Sequence, residues 1–155
     1  MELQSERASM EQSIRVELTT RLPGKVFFPT DAQYDELRAG YNAAVQQRPQ
    51  AIVRAESPQD VVAAVTFARQ QGLPVAVQNT AHGVKRAADD ALLIIVSAMN
   101  GVQIDPQAQT AWVEGGAKWA DVLSAAQAHG LTPLLGSSSD VGAVGYTLGG
   151  GWGWL

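Results

Sequence analysis

Two segments of this chain hold the residue types that could do chemistry. The first is Gln78-Asn79-Thr80-Ala81-His82-Gly83. It carries one imidazole, which is a nucleophile near neutral pH, among small residues that let an anion approach the main chain. The second runs from Gly136 through Ser137, Ser138, Val141, Gly142, Gly145, Tyr146, Gly149 and Gly150 to Gly153. From Gly136 onward the chain carries seven of its 15 glycines. Glycine suits backbone that lies close to a ligand or adopts positive φ. The interleaved Val, Leu and Trp residues exclude a solvated spacer. Taken alone, each segment has a plainer reading: a polar loop with a surface histidine, and a glycine-rich structural turn.

Other chemistries fail on the same residues. With no cysteine there is no disulfide, thiolate metal site or cysteine nucleophile. Two histidines make a histidine-rich metal centre a poor reading, and His82 with Asp89 and Asp90 is thin support for any metal. Gly115-Gly116-Ala117 lacks the G-x-G-x-x-G spacing of a dinucleotide fingerprint, and no Gly-Lys-Ser/Thr triplet of a phosphate-binding loop occurs. His129, at a helix C-terminus, reads as structural. The net charge of -4 argues against nucleic acid and anionic membrane as partners. The polar start of the chain does not read as a signal peptide, and no run approaches the ~18 apolar residues of a membrane span. A cytoplasmic protein is the default expectation.

The elements that must position these segments follow from pattern. Residues 1–25 read as a polar tail or frayed helix. Tyr34, Leu37 and Tyr41 predict a helix over 31–46. Ala51 to Arg54 is an apolar strand, and Ser57-Pro58-Gln59-Asp60 opens a helix with a stripe of Val61, Ala64, Val65 and Ala68, stopped at Gly72. Pro74 to Gln78 is a second strand, which completes a βαβ unit with a parallel, right-handed crossover. Ala91 to Val96 is a fully buried strand, since it does not alternate. Short strands at 102–104 and 110–114 precede a helix over 117–129 that stops at Gly130. From Gly136 the chain reads as loop. The first segment therefore lies at the C-terminal end of a parallel strand, where ligands of open α/β sheets tend to bind.

In order, these pieces resemble the FAD-linked oxidases of the berberine-bridge-enzyme and vanillyl-alcohol-oxidase type, whose flavin domain is the PCMH type. The residues that carry the resemblance begin with Pro49 to Arg54, Ser57-Pro58-x-Asp60-Val61 and Gly72 to Val77 leading to His82-Gly83. They continue through Met99-Asn100, Gly115-Gly116-Ala117-x-Trp119-x-Asp121-Val122 and His129-Gly130-Leu131, and close with Val141-Gly142-x-x-Gly145-x-x-x-Gly149-Gly150-Gly151-x-Gly153. The resemblance implies an α+β fold. Its N-terminal βαβ subdomain with a small parallel sheet would span about 48–114, and the start of a second subdomain about 115–155, within a truncated domain over 26–155.

It also implies FAD as cofactor, with Gln78 to Gly83 around the pyrophosphate and His82 as the candidate covalent link to the flavin 8α-carbon. Gly136, Ser137, Ser138, Val141, Gly142, Gly145, Tyr146, Gly149 and Gly150 would line pyrophosphate and flavin. The family often has Arg where Gln78 stands and Gly where Ala81 stands. A second, cysteine-borne flavin link, which would fall at Ser138, is ruled out by composition. The implied reaction is oxidation of an alcohol, sugar or alkaloid-like small molecule by hydride transfer to flavin, with dioxygen as acceptor and no catalytic base assigned in this chain. Full members are much longer, so the chain is expected to depend on a second chain or a further C-terminal region. The alternative is a non-catalytic partial domain with weak or no FAD binding.

Overall fold

The computed structural model describes residues 2–151, with residues 2–11 described by backbone alone. Trp152, which sequence reasoning offers as a flavin or substrate contact, and Gly153 to Leu155 lie outside the described residues.

The central sheet forms around the apolar run Ala91 to Val96. Strand β4 (Leu92–Ile95) has parallel neighbours on both sides, β2 (Ala51–Arg54) and β3 (Val75–Gln78), and β1 (Val26–Phe27) adds antiparallel to β2. The order β1-β2-β4-β3 places β4 between the two strands of the expected βαβ unit. Leu92 and Ile94 enter one core and Leu93 and Ile95 enter another on the opposite face. Both faces of β4 are therefore buried, as its unbroken apolar run requires.

The connecting helix α3 (Pro58–Gln71) starts where the sequence signals it. Asp60 N–H donates to Ser57 Oγ at 3.3 Å, and the Asp60 carboxylate accepts the Ser57 N–H at 3.1 Å, a reciprocal cap. Gly72, at φ 66°, ends the helix in the left-handed region while Leu73 N–H returns to Ala68 O at 2.9 Å. The buried stripe is Ala64, Phe67 and Ala68, with Val61 beside them. Val65, assigned inward on sequence grounds, is 44% exposed, and Phe67 is fully buried in its place. A ring of that size dominates the packing, being worth about 1.5–3 kcal/mol on burial.

Two further expectations are corrected. The N-terminal segment is the helix α1 (Glu2–Arg21), whose Ile14 and Leu18, followed by Leu22, enter the α3 core at a spacing of four. Its many charged residues hid a narrow apolar stripe, and Gln71 donates across to Glu17 at 3.0 Å. The helix expected over 31–46 is only α2 (Tyr34–Arg38). The chain leaves the helical region at Ala39, ψ 136°, and Tyr41 N–H bonds Thr80 O at 3.1 Å instead of continuing a helix.

The second unit begins after β4. Strands β5 (Val102–Asp105) and β6 (Thr110–Val113) pair antiparallel, and helix α4 (Trp119–Gln127) ends at Ala128, with Gly130 following at φ 69°. Trp119, Val122 and Ala143 form a separate core, with Val102, Val113, Leu135 and Tyr146 against it. The segment read as glycine-rich loop contains a helix, α5 (Ala143–Leu148), with Gly142 at its N-cap. Gly116 joins the two units, because a Cβ there would sit 2.1 Å from Val96 O and 2.7 Å from Met99 O. That close approach accounts for glycine at 116 by packing alone. Among the described residues no helix is long and apolar enough to cross a membrane.

Candidate flavin site

Strand β3 ends at Gln78, and the loop that follows runs against the start of α5. Asn79 Nδ2 reaches Ala117 O at 3.4 Å, and Gly142 N–H donates to Thr80 Oγ1 at 3.4 Å. A Cβ on Gly142 would lie 2.8 Å from Asn79 Nδ2, so a larger residue there would push the Asn79 amide aside. The two sequence segments singled out above are thus brought together. Between them opens a cleft of about 830 Å³, within the usual range of small-molecule and cofactor sites.

Most of the expected residues line it: Gln78, Asn79, Thr80, Ala81, His82, Gly83, Val141, Gly142, Gly145, Tyr146 and Gly149. Gly136, Ser137, Ser138 and Gly150 do not. Gly136 lies under the Tyr146 ring, where a Cβ would meet the phenol oxygen at 2.8 Å, and Gly150, φ 100°, belongs to the turn that ends α5. Tyr146 is held edge-on to Trp119, with ring centroids 5.7 Å apart. Lys85, Arg86, Gln47 and Gly151 join the lining without having been expected.

The polar atoms divide into those already engaged and those left over. Gln78 is buried, and its amide is consumed internally: Oε1 accepts from Gln47 Nε2 at 2.6 Å and Nε2 donates to Ala39 O at 3.2 Å. It buttresses the strand end, with its amide oxygen and one amide N–H engaged within the protein. His82 is different. Its ring stacks on Tyr41, centroids 3.8 Å apart and planes 17° from parallel, and Nδ1 is buried with no hydrogen-bond partner. A buried ring nitrogen without a partner costs about 1–3 kcal/mol unless something else satisfies it. Ala81 sits at φ 54°, a conformation costing a residue with a side chain roughly 1–2 kcal/mol. Strain and an orphaned polar atom on adjacent residues are the marks of a segment shaped for a ligand.

Two glycines of the lining are open: Gly83 and Gly145 have nothing within 4 Å of where a Cβ would stand. Backbone donors, small residues and one free imidazole nitrogen suit a flat aromatic cofactor that carries phosphates.

Comparison with known proteins agrees with this geometry. Residues 49–155 match the FAD binding domain family, and the chain belongs to it. It is 35% identical over 140 residues to an FAD-linked oxidoreductase of Dictyostelium discoideum, covering 90% of this chain and 31% of that protein. It is 30% identical over 136 residues to (R)-6-hydroxynicotine oxidase of Paenarthrobacter nicotinovorans, covering 86% of this chain and 30% of that protein. The crystal structure of 6-hydroxy-D-nicotine oxidase from Arthrobacter nicotinovorans superposes with a TM-score of 0.71 at 28% identity, over 78% of this chain and 27% of that one. The chain therefore spans about 30% of the length of the curated relatives it matches. FAD is the cofactor of this family, and the relatives are FAD-linked oxidoreductases, some of them oxidases.

Sequence reasoning missed Tyr41 because it was assigned to a helix. Lys85 and Arg86 follow directly after His82-Gly83-Val84, a visible signal that carried no weight without the cleft.

Proposed function

We propose that the cleft between the 79–83 loop and α5 holds FAD, and that His82 is its point of covalent attachment. The observation that carries this is the buried, unpartnered Nδ1 of His82, fixed by the Tyr41 stack at the rim of a cleft walled by glycine backbone. His82 would supply a ring nitrogen for a C–N bond to the flavin 8α-carbon. Tyr41 would hold the imidazole plane and shield it from water, while Thr80, Ala81 and Gly83 offer backbone to the pyrophosphate.

The bound flavin supplies the redox chemistry by accepting hydride from substrate. The complete protein would then oxidise an alcohol, sugar or alkaloid-like molecule with dioxygen as acceptor. The alkaloid option draws support from the hydroxynicotine oxidase relative. A second reading, FAD held without turnover by these residues alone, is favoured by one observation. Among the described residues no carboxylate lines the cleft.

Denaturing the purified protein and removing small molecules tests the attachment. The expected result is a visible flavin band that stays with the polypeptide and disappears in His82→Ala. A band that washes away from the wild type would rule out the covalent link.

A further inference from the structure

We propose that Lys85 and Arg86 are the charge partners of the cofactor's pyrophosphate, so that the cleft selects the dinucleotide over uncharged riboflavin. The inference rests on the FAD reading above and adds what the site uses to recognise the charged half of that molecule.

The chain carries a net charge of -4, yet among the described residues no Asp or Glu lines this cleft, whereas Lys85 and Arg86 both do. A cationic cleft in an acidic chain concentrates an anionic ligand. Neither side chain has a hydrogen-bond or ion-pair partner among the described residues, so both are available to a ligand, as Lys25, Arg15, Arg21 and Arg38, bound to carboxylates, are not; Arg48, Arg54, Arg69 and Lys118 are also outside any ion pair but do not line this cleft. The nearest acidic residues along the chain are turned to other tasks. Asp89 Oδ1 accepts the Arg48 N–H at 2.6 Å, and Asp90 lines a different cleft beside Tyr34 and Arg48.

The strand end itself cannot supply the charge, since Gln78 is neutral and its amide is engaged. Its neighbours Asn79 and Thr80 are bound to Ala117 and Gly142. The two cations lie three and four residues beyond His82 on the same loop. One loop therefore presents an imidazole for the flavin ring and two cations for the phosphates. A guanidinium also offers paired N–H donors to phosphate oxygens.

The test is to titrate the flavin-free full chain with FAD, FMN and riboflavin at low and at physiological salt, comparing wild type with the Lys85→Ala/Arg86→Ala double variant. Both side chains are exposed, so the fold should be unaffected, which unchanged circular dichroism would verify. The expected result is FAD binding weakened on the order of tenfold at low salt, with riboflavin binding changed less than about twofold. FMN should fall between them, and the salt dependence of FAD binding should flatten as the ion contacts go. A Lys85→Arg variant should bind FAD as the wild type does. FAD affinity and salt dependence unchanged in the double variant, or riboflavin weakened as much as FAD, would overturn the assignment while leaving the flavin reading intact. A wild-type chain that takes up none of the three would overturn both.

Discussion

At the residue scale, the site depends on two contacts that precede any ligand. His82 is oriented by Tyr41, an exposed ring held only by the stack and by its backbone bond to Thr80 O. We expect Tyr41→Ala to lower the fraction of chains carrying covalent flavin by several-fold, and Tyr41→Phe to restore it, since the stack needs the ring and not the hydroxyl. Measuring flavin absorbance against protein after denaturation separates the two variants. The second contact is Gly40 against Ala81, where a Cβ on Gly40 would fall 2.6 Å from the Ala81 Cβ. Gly40→Ala should destabilise by about 1–3 kcal/mol through overpacking. Adding Ala81→Gly should recover most of that loss, because it removes the clashing methyl and relieves the positive φ. A double-mutant cycle of chemical melts reads the coupling directly.

At the element scale, α3 is fixed at its N-terminus by Ser57 and by the carboxylate of Asp60. Burial alone would push the Asp60 pKa up, but Lys25 Nζ at 2.7 Å and the N–H groups of Glu56 and Ser57 outweigh it and hold it below the usual carboxylate value. A lowered folded-state pKa adds stability above the unfolded value of about 4, and that stability is lost as pH falls through the folded value. Asp60→Asn should therefore melt lower than wild type at neutral pH, with the difference shrinking in acid below about pH 4. Thermal melts at neutral and acid pH check this, and a gap of constant size would contradict it. Ser57→Ala should cost about 1 kcal/mol, or roughly 2–4 °C in melting temperature.

These elements also show what a sequence discloses. The α3 cap, the Gly72 stop and the buried β4 were legible because each depends on residues close together in the chain. The Ser57–Asp60 box and the Leu92 to Ile95 run needed no knowledge of tertiary structure. Helix α1 was legible only as a tail or frayed helix, since its two core positions, Ile14 and Leu18, are sparse and make sense only against the sheet and α3. The early end of α2 was hidden for a similar reason. Tyr41 continues the helical spacing of Tyr34 and Leu37, but Thr80 O and the His82 ring draw it away. Within the site, the His82 loop and the Gly142 to Gly149 segment were readable from their small residues. The engagement of the Gln78 amide was not, because its partners Gln47 and Ala39 lie more than 30 residues away in the chain.

At the scale of the whole molecule, the sheet buries one core against α1 and α3 and a second on its other face, and the unit anchored by Trp119, Val122 and Ala143 meets it along a seam. The cleft lies where they join, so its shape depends on Gly116 against Val96 O and on Gly142 against Asn79. Edge strand β3 leaves Val75 and Val77 exposed, at 42% and 66%, on the same strand that ends in the flavin loop.

The central claim is that this chain is built to hold FAD in that seam. The most direct test is to incubate the purified chain with FAD, separate it by gel filtration and record the visible spectrum of the protein peak. The expected result is stoichiometric flavin moving with the chain, together with a raised melting temperature. A colourless peak whose melting temperature does not respond to FAD would contradict it.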